Sequence, residues 1–136
     1  MIKAYYGKKG CGKTKAIVNS ANDFFKESEG DIIFINDTEQ LMYDFPHQIR
    51  YINISSFPVT NSIELLSFIS GLIAGNYDIT RIYIDRITYM TRTQPQDLEM
   101  FFSKLGTLSK DNNVDFVISV SSEIGEVPEY IKPYLG

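Results

Sequence analysis

At 136 residues, 43% of them apolar and 22% charged, the chain has the length and composition of one globular unit rather than a disordered or low-complexity segment. A formal net charge of −4 argues against a dominant electrostatic attraction to nucleic acid or to anionic lipid. The single cysteine, Cys11, excludes an internal disulfide, and together with the one histidine, His47, it is too few ligands for a zinc site. No stretch approaches the roughly eighteen continuous apolar residues of a membrane span, and no signal-like apolar region precedes the first strand, so a cytoplasmic protein is expected.

Residues 2–6 (Ile-Lys-Ala-Tyr-Tyr) are β-prone and run directly into Gly7-Lys8-Lys9-Gly10-Cys11-Gly12-Lys13-Thr14, which fits G-x-x-x-x-G-K-[ST] at every fixed position. Residues 13–25 follow with Ala16, Ile17, Val18, Ala21, Phe24 and Phe25 at helical spacing. A strand, a glycine loop and a helix in succession make a phosphate-binding loop. A triphosphate is a dense cluster of negative oxygens, and glycines at 7, 10 and 12 let backbone N–H groups converge on it without side chains in the way. Lys13 is then placed to reach the β- and γ-phosphates and the Thr14 hydroxyl to ligate Mg²⁺; Lys15 completes the set at the helix start, where N–H groups are unpaired. Cys11 is read as a small side chain that fits the loop.

After this helix, Glu27 to Gly30 reads as a stop, with Gly30 suited to a left-handed position. Residues 31–36 (Asp-Ile-Ile-Phe-Ile-Asn) form a second strand whose unbroken apolar run indicates burial on both faces and hence a parallel sheet. Residues 40–45 are expected to form one short helix ended by Pro46, with His47 in an exposed connection, and residues 50–54 a third strand. Asn61, with Glu64 three residues on, caps a helix running to Gly75-Asn76. Its apolar face is wide, which fits deep packing on a sheet or, through Phe68 and Leu72, contact with another subunit.

Residues 81–85 (Arg-Ile-Tyr-Ile-Asp) form an apolar strand ending in a carboxylate, which places Asp85 at the same sheet edge as the glycine loop, as a second candidate Mg²⁺ ligand beside Thr14. A helix introduced by Thr93 and Pro95 shows Leu98, Phe101, Phe102, Leu105 and Leu108 on one face. Residues 115–120 form a fifth strand, with Ser119, Ser121 and Ser122 near its end as candidate phosphate or water contacts, and residues 129–134 a terminal turn interrupted by Pro133.

On the glycine loop, on Ile82 to Asp85 and on this order of strands, residues 1–136 resemble a single minimal P-loop NTPase domain, most similar to the RecA/KaiC-like group. The resemblance implies an α/β fold, a three-layer α/β/α sandwich with a mainly parallel five-stranded sheet in the order 3-2-4-5-1. It also implies ATP and Mg²⁺ as cofactors, with Gly7, Lys8, Lys9, Gly10, Cys11, Gly12, Lys13, Thr14 and Lys15 around the nucleotide and Lys13 stabilising the transferring phosphate. In that group a catalytic glutamate follows the second strand; here Asp37 is the positional match and Glu39 the alternative. Arg86 stands beside Asp85, where many hydrolysing relatives place a glutamate.

Three functions share such a loop: an ATPase or ATP-driven switch within a larger assembly, a small nucleoside or nucleotide kinase, and a regulatory module that binds nucleotide without turnover. The absence of an Asn-Lys-x-Asp motif favours ATP over GTP, and the absence of an arginine-rich lid ranks the kinase below the ATPase. The expected protein partner is a further copy of this chain or another protein; a neighbouring subunit would supply a catalytic arginine.

Overall fold

The computed structural model describes residues 1–123 and 125–135, and its frame is a five-stranded sheet whose central strands are apolar on both faces. In β2 (Asp31–Asn36), Ile33 and Ile35 enter one core while Ile32 and Phe34 enter the other, so the unbroken apolar run leaves no face for water. β4 (Ile79–Ile84) and β5 (Asp115–Ser121) repeat this, with Ile82, Ile84, Phe116 and Ile118 on the first side and Tyr83 and Val117 on the second. β1 (Ile2–Gly7) and β3 (Ile49–Asn53) take the edges, giving β3-β2-β4-β5-β1 with parallel pairing throughout, the order that the resemblance implies.

Helices cover both faces. α1 (Lys13–Glu27) lies on the second side and buries Ile17 and Ala21 beside an aromatic group in which the Phe34 ring is 4.5 Å from Phe45 and 5.8 Å from Tyr83. α2 (Ser62–Gly75), the short α3 (Ile87–Thr91) and α4 (Glu99–Asn112) cover the first side through Leu65, Ile69 and Ile73, Ile87 and Met90, and Phe101, Phe102 and Leu105. The three-layer α/β/α arrangement follows. Core burial accounts for most of the wide apolar face of α2, since Leu66, Phe68 and Leu72 are half-buried against the same core and Phe68 meets Phe57 at 5.3 Å.

Several local expectations need correction. Residues 40–45 form only a 3-10 turn at Met42–Asp44, because Pro46 stops the chain before an α-helical nucleus is complete. The third strand begins at Ile49 and ends at Asn53, whose side chain caps a 3-10 turn that takes Ile54 out of the strand. α3 was not apparent in the sequence: it is a five-residue helix between Arg86 (φ 73°) and Arg92 (φ 55°), two left-handed residues that stop any longer periodicity. Pro95 opens a separate 3-10 turn, Pro95–Asp97, and α4 starts at Glu99 with Leu98 just before it. At the C-terminal end, Lys132–Tyr134 forms a 3-10 turn and Leu135 bridges Ala4 on the free edge of β1.

Gly30 is not left-handed: α1 ends at Glu27 and leaves through an extended Ser28 (φ −105°, ψ 145°). Close approach requires this glycine. A Cβ there would lie 1.9 Å from Thr80 Cγ2 and 2.9 Å from the Asp78 carbonyl oxygen, where the β2–β4 register slips between Asp31 and Ile32. Gly30→Ala should therefore destabilise the fold by about 1–3 kcal/mol in urea unfolding. Thr80→Ser, which removes Cγ2, should recover part of that loss.

The cap of α2 also yields a pH expectation. The Asn61 side chain accepts the Glu64 N–H at 2.8 Å, and the Glu64 carboxylate accepts the Thr60 N–H at 2.8 Å and the Thr60 hydroxyl at 3.0 Å. The bond from the Thr60 backbone, then that from its hydroxyl, holds the Glu64 carboxyl below its ordinary range. A lowered folded pKa means a stabilisation present above the unfolded value of about 4.3 and lost as pH falls through the folded one. Glu64→Gln should lower the thermal midpoint at neutral pH and leave it close to wild type in strong acid.

Candidate functional site

The loop between β1 and α1 turns through two left-handed glycines, Gly10 (φ 84°) and Gly12 (φ 97°), and Gly12 caps α1 without a side-chain bond, leaving first-turn N–H groups facing the loop. Gly7 is different: it ends β1 with an ordinary φ, and a Cβ on it would lie 2.7 Å from Cys11 Sγ. Lys13 folds back under the loop, its Nζ donating to the Lys8 carbonyl at 2.7 Å and to Cys11 Sγ at 3.6 Å, while Lys8, Lys9 and Cys11 are exposed.

Asp85 follows β4 at the same sheet edge and is fully buried. Its carboxylate accepts three side-chain donors from three elements: Ser119 Oγ of β5 at 2.5 Å, Asn36 Nδ2 of β2 at 2.9 Å and Thr14 Oγ1 of α1 at 3.1 Å. Burial raises the Asp85 carboxyl above the ordinary range, opposed by the bonds from Ser119 and Thr14 and by the nearby Arg86 charge. Thr14 and Asp85, predicted to share one ion, are thus brought together. Asn36 was not singled out in the sequence, although a polar residue ending an apolar strand beside the Asp85 strand was the available signal. Ser119 is placed as a partner of Asp85, and it also accepts the Arg86 N–H at 2.7 Å.

Above the loop is a cavity of about 340 Å³ whose charged lining residues are Lys9, Lys13, Lys15 and Arg86, with Gly10, Gly12 and Thr14 at its floor and Tyr89 at its side. A larger chamber of about 540 Å³ adjoins it, shares Lys9, Tyr89 and Ser121 with it, and is walled by Arg92, Asp97 and Glu123.

Neither candidate base lines the loop cavity. Asp37 Oδ1 lies 3.3 Å from Arg86 Nε, and Glu39 is exposed further along the connection. Of the arginines, Arg81 is at the far end of β4, paired with Asp115 at 3.3 Å and stacked on Phe24 at 3.7 Å, and Arg50 lines a separate groove beside Phe57 and Phe68. Arg86 alone among them faces the loop cavity, and sequence reasoning left its reach undetermined. Among the described residues no helix is long and apolar enough to cross a membrane, and no cluster of His, Cys, Asp and Glu could hold a metal by itself.

A parallel 3-2-4-5-1 sheet between helical layers, with its glycine loop and its strand-end aspartate at one edge, defines a three-layer α/β/α fold. Among solved structures the chain is similar to the flagellar accessory protein FlaH from Methanocaldococcus jannaschii, with a TM-score of 0.55 and 15% sequence identity over 97% of this chain. The match spans 65% of the length of FlaH, and at that identity the likeness concerns the fold alone. Neither a protein-family model nor a curated protein matches the sequence.

Because Ser119 both donates to the buried Asp85 carboxylate and accepts the Arg86 N–H, Ser119→Ala leaves two polar groups short of a partner. It should cost about 1–3 kcal/mol in chemical denaturation, with Ser119→Thr closer to wild type.

Proposed function

We propose that the chain binds a nucleoside triphosphate together with Mg²⁺, ATP in preference to GTP, and works as an ATPase or ATP-driven switch. One observation carries this reading. In a chain of net charge −4, the charged residues lining the loop cavity are all basic, Lys9, Lys13, Lys15 and Arg86, over two left-handed glycines and a helix N-terminus. Such a cavity selects a compact polyanion. A fold shared with FlaH agrees with the reading but does not decide it, because one fold hosts many functions.

The donor set suits Mg²⁺, a hard cation that takes oxygen ligands. Thr14 Oγ1 and the Asp85 carboxylate supply them 3.1 Å apart, and the hydroxyl proton of Thr14 on Asp85 leaves its lone pairs available to a cation. Mg²⁺ when bound would neutralise charge on the β- and γ-phosphates. Within the chain, Gly7 to Lys15 would cradle the phosphates, Lys13 would exchange the Lys8 carbonyl for phosphate oxygens, and Asp37, or Glu39 from further out, would orient the attacking water. The kinase reading has a specific support of its own in the adjoining chamber, where Arg92, Asp97 and Glu123 could receive a polar acceptor.

Calorimetry with ATP and Mg²⁺ tests the binding mode. Lys13→Ala should weaken binding roughly 10- to 100-fold, the range of lost charge-assisted hydrogen bonds, and equal affinities for the two proteins would refute the site. Asp85→Asn should reduce the Mg²⁺-dependent part of the affinity more than metal-free binding. Phosphate release without an added acceptor is expected for the ATPase, whereas release only on adding a hydroxylated acceptor would favour the kinase.

A further inference from the structure

We propose that Arg86 reads the terminal phosphate of the bound nucleotide, and that Asp37 and that phosphate compete for it. The inference rests on the nucleotide reading above and adds a residue that distinguishes triphosphate from diphosphate within the chain itself.

Its position comes from the backbone. Arg86 directly follows Asp85, its N–H is held on Ser119 Oγ at 2.7 Å, and the same Ser119 donates to Asp85 at 2.5 Å. The left-handed φ of 73° lets the side chain leave this anchored point toward the loop cavity, which it lines together with Lys13 and Thr14. Arg86 is therefore rooted at the Thr14–Asp85 end of the site, where the metal ligands would sit and hence where the β- and γ-phosphates belong. Lys9, Lys13 and Lys15 are point charges, whereas a guanidinium presents a planar fork that matches two phosphate oxygens.

Its present partners hold it loosely. The guanidinium stacks on Tyr89 at 4.3 Å, a contact that fixes its plane without using its N–H donors. Nε lies 3.3 Å from Asp37 Oδ1, yet both atoms are buried without an aligned hydrogen bond, so the pair has charge attraction without the directional part. The Arg86 side chain is 31% exposed, and the residue lines the cavity. A terminal phosphate offers two or three oxygens and a larger charge than the single Asp37 carboxylate, and can take the fork by a short movement of the side chain about its anchored Cα.

The exchange has a consequence for Asp37. It sits just past β2, so its pair with Arg86 ties the ends of β2 and β4 together. Transfer of Arg86 to phosphate breaks this one tie, while the Asn36–Asp85 bond still joins the strand ends, and it frees the Asp37 carboxylate only when a triphosphate is bound. The candidate base thereby becomes available in the complex that has a bond to hydrolyse.

The experiment measures affinities for Mg²⁺-ADP and for the Mg²⁺ complex of the β,γ-imido analogue of ATP, and takes their ratio. Arg86→Gly, chosen because glycine accepts the left-handed backbone, should lower the triphosphate preference roughly tenfold or more, triphosphate affinity falling by that factor beyond any loss of ADP affinity. Asp37→Asn should raise the preference several-fold by removing the competitor, and Arg86→Lys should retain part of it. The double variant Asp37→Asn/Arg86→Gly separates contact from repulsion: a ratio below wild type supports direct contact, and a wild-type ratio would mean that unpaired Asp37 alone repels the phosphate, overturning the proposal. An unchanged ratio in Arg86→Gly, whatever the ADP affinity, overturns it while the nucleotide reading stands. A wild-type protein that binds neither nucleotide removes both.

Discussion

A carboxylate with no exposed surface, Asp85, is the point on which the rest of this site depends. Burying an ion without compensation costs several kcal/mol, and here the compensation is drawn from α1, β2 and β5 at once, through Thr14, Asn36 and Ser119. The carboxyl ends of the central strands and the start of the first helix are therefore fixed relative to one another by one residue. The glycine loop inherits its position from that arrangement, because Thr14 is the second residue of α1 and its hydroxyl is held on Asp85.

Charge is distributed in the opposite sense to the total. The chain is acidic, yet Lys9, Lys13, Lys15 and Arg86 converge on one cavity, while Asp37 is the nearby acid that Arg86 keeps engaged. Like charges gathered in this way repel one another, so on the proposed nucleotide reading part of the attraction for a polyanion would be present before any contact forms. Arg86 belongs both to this cationic group and to the ion pair across the strand ends.

The edges of the fold are less constrained than its centre. β2, β4 and β5 are covered on both faces and bury four apolar residues each, whereas β1 buries only Ala4 and β3 only Ile49 and Ile52, with sheet partners on one side. The bridge from Leu135 to Ala4 covers part of the free edge of β1, and the Phe57–Phe68 contact covers part of the groove beside β3. Protection of exposed strand edges by such short contacts limits unwanted pairing.

Much of this was legible in the residues. The run Ile32 to Ile35 can be satisfied only by a strand with cover on both faces, G-x-x-x-x-G-K-[ST] specifies a backbone shape as well as a set of side chains, and an aspartate ending an apolar strand must lie at the same edge as the loop. These features are local: periodicity, φ preference and strand direction are properties of short segments. What tertiary structure alone decided are meetings of residues distant in sequence. Gly30 is a glycine because Thr80 packs where its Cβ would be, and Ser119 and Asn36 converge on Asp85 from different strands. Arg86, whose neighbour Asp85 was evident from the start, owes its direction to a left-handed backbone and its partner to a loop 49 residues upstream, neither of which a one-dimensional pattern records.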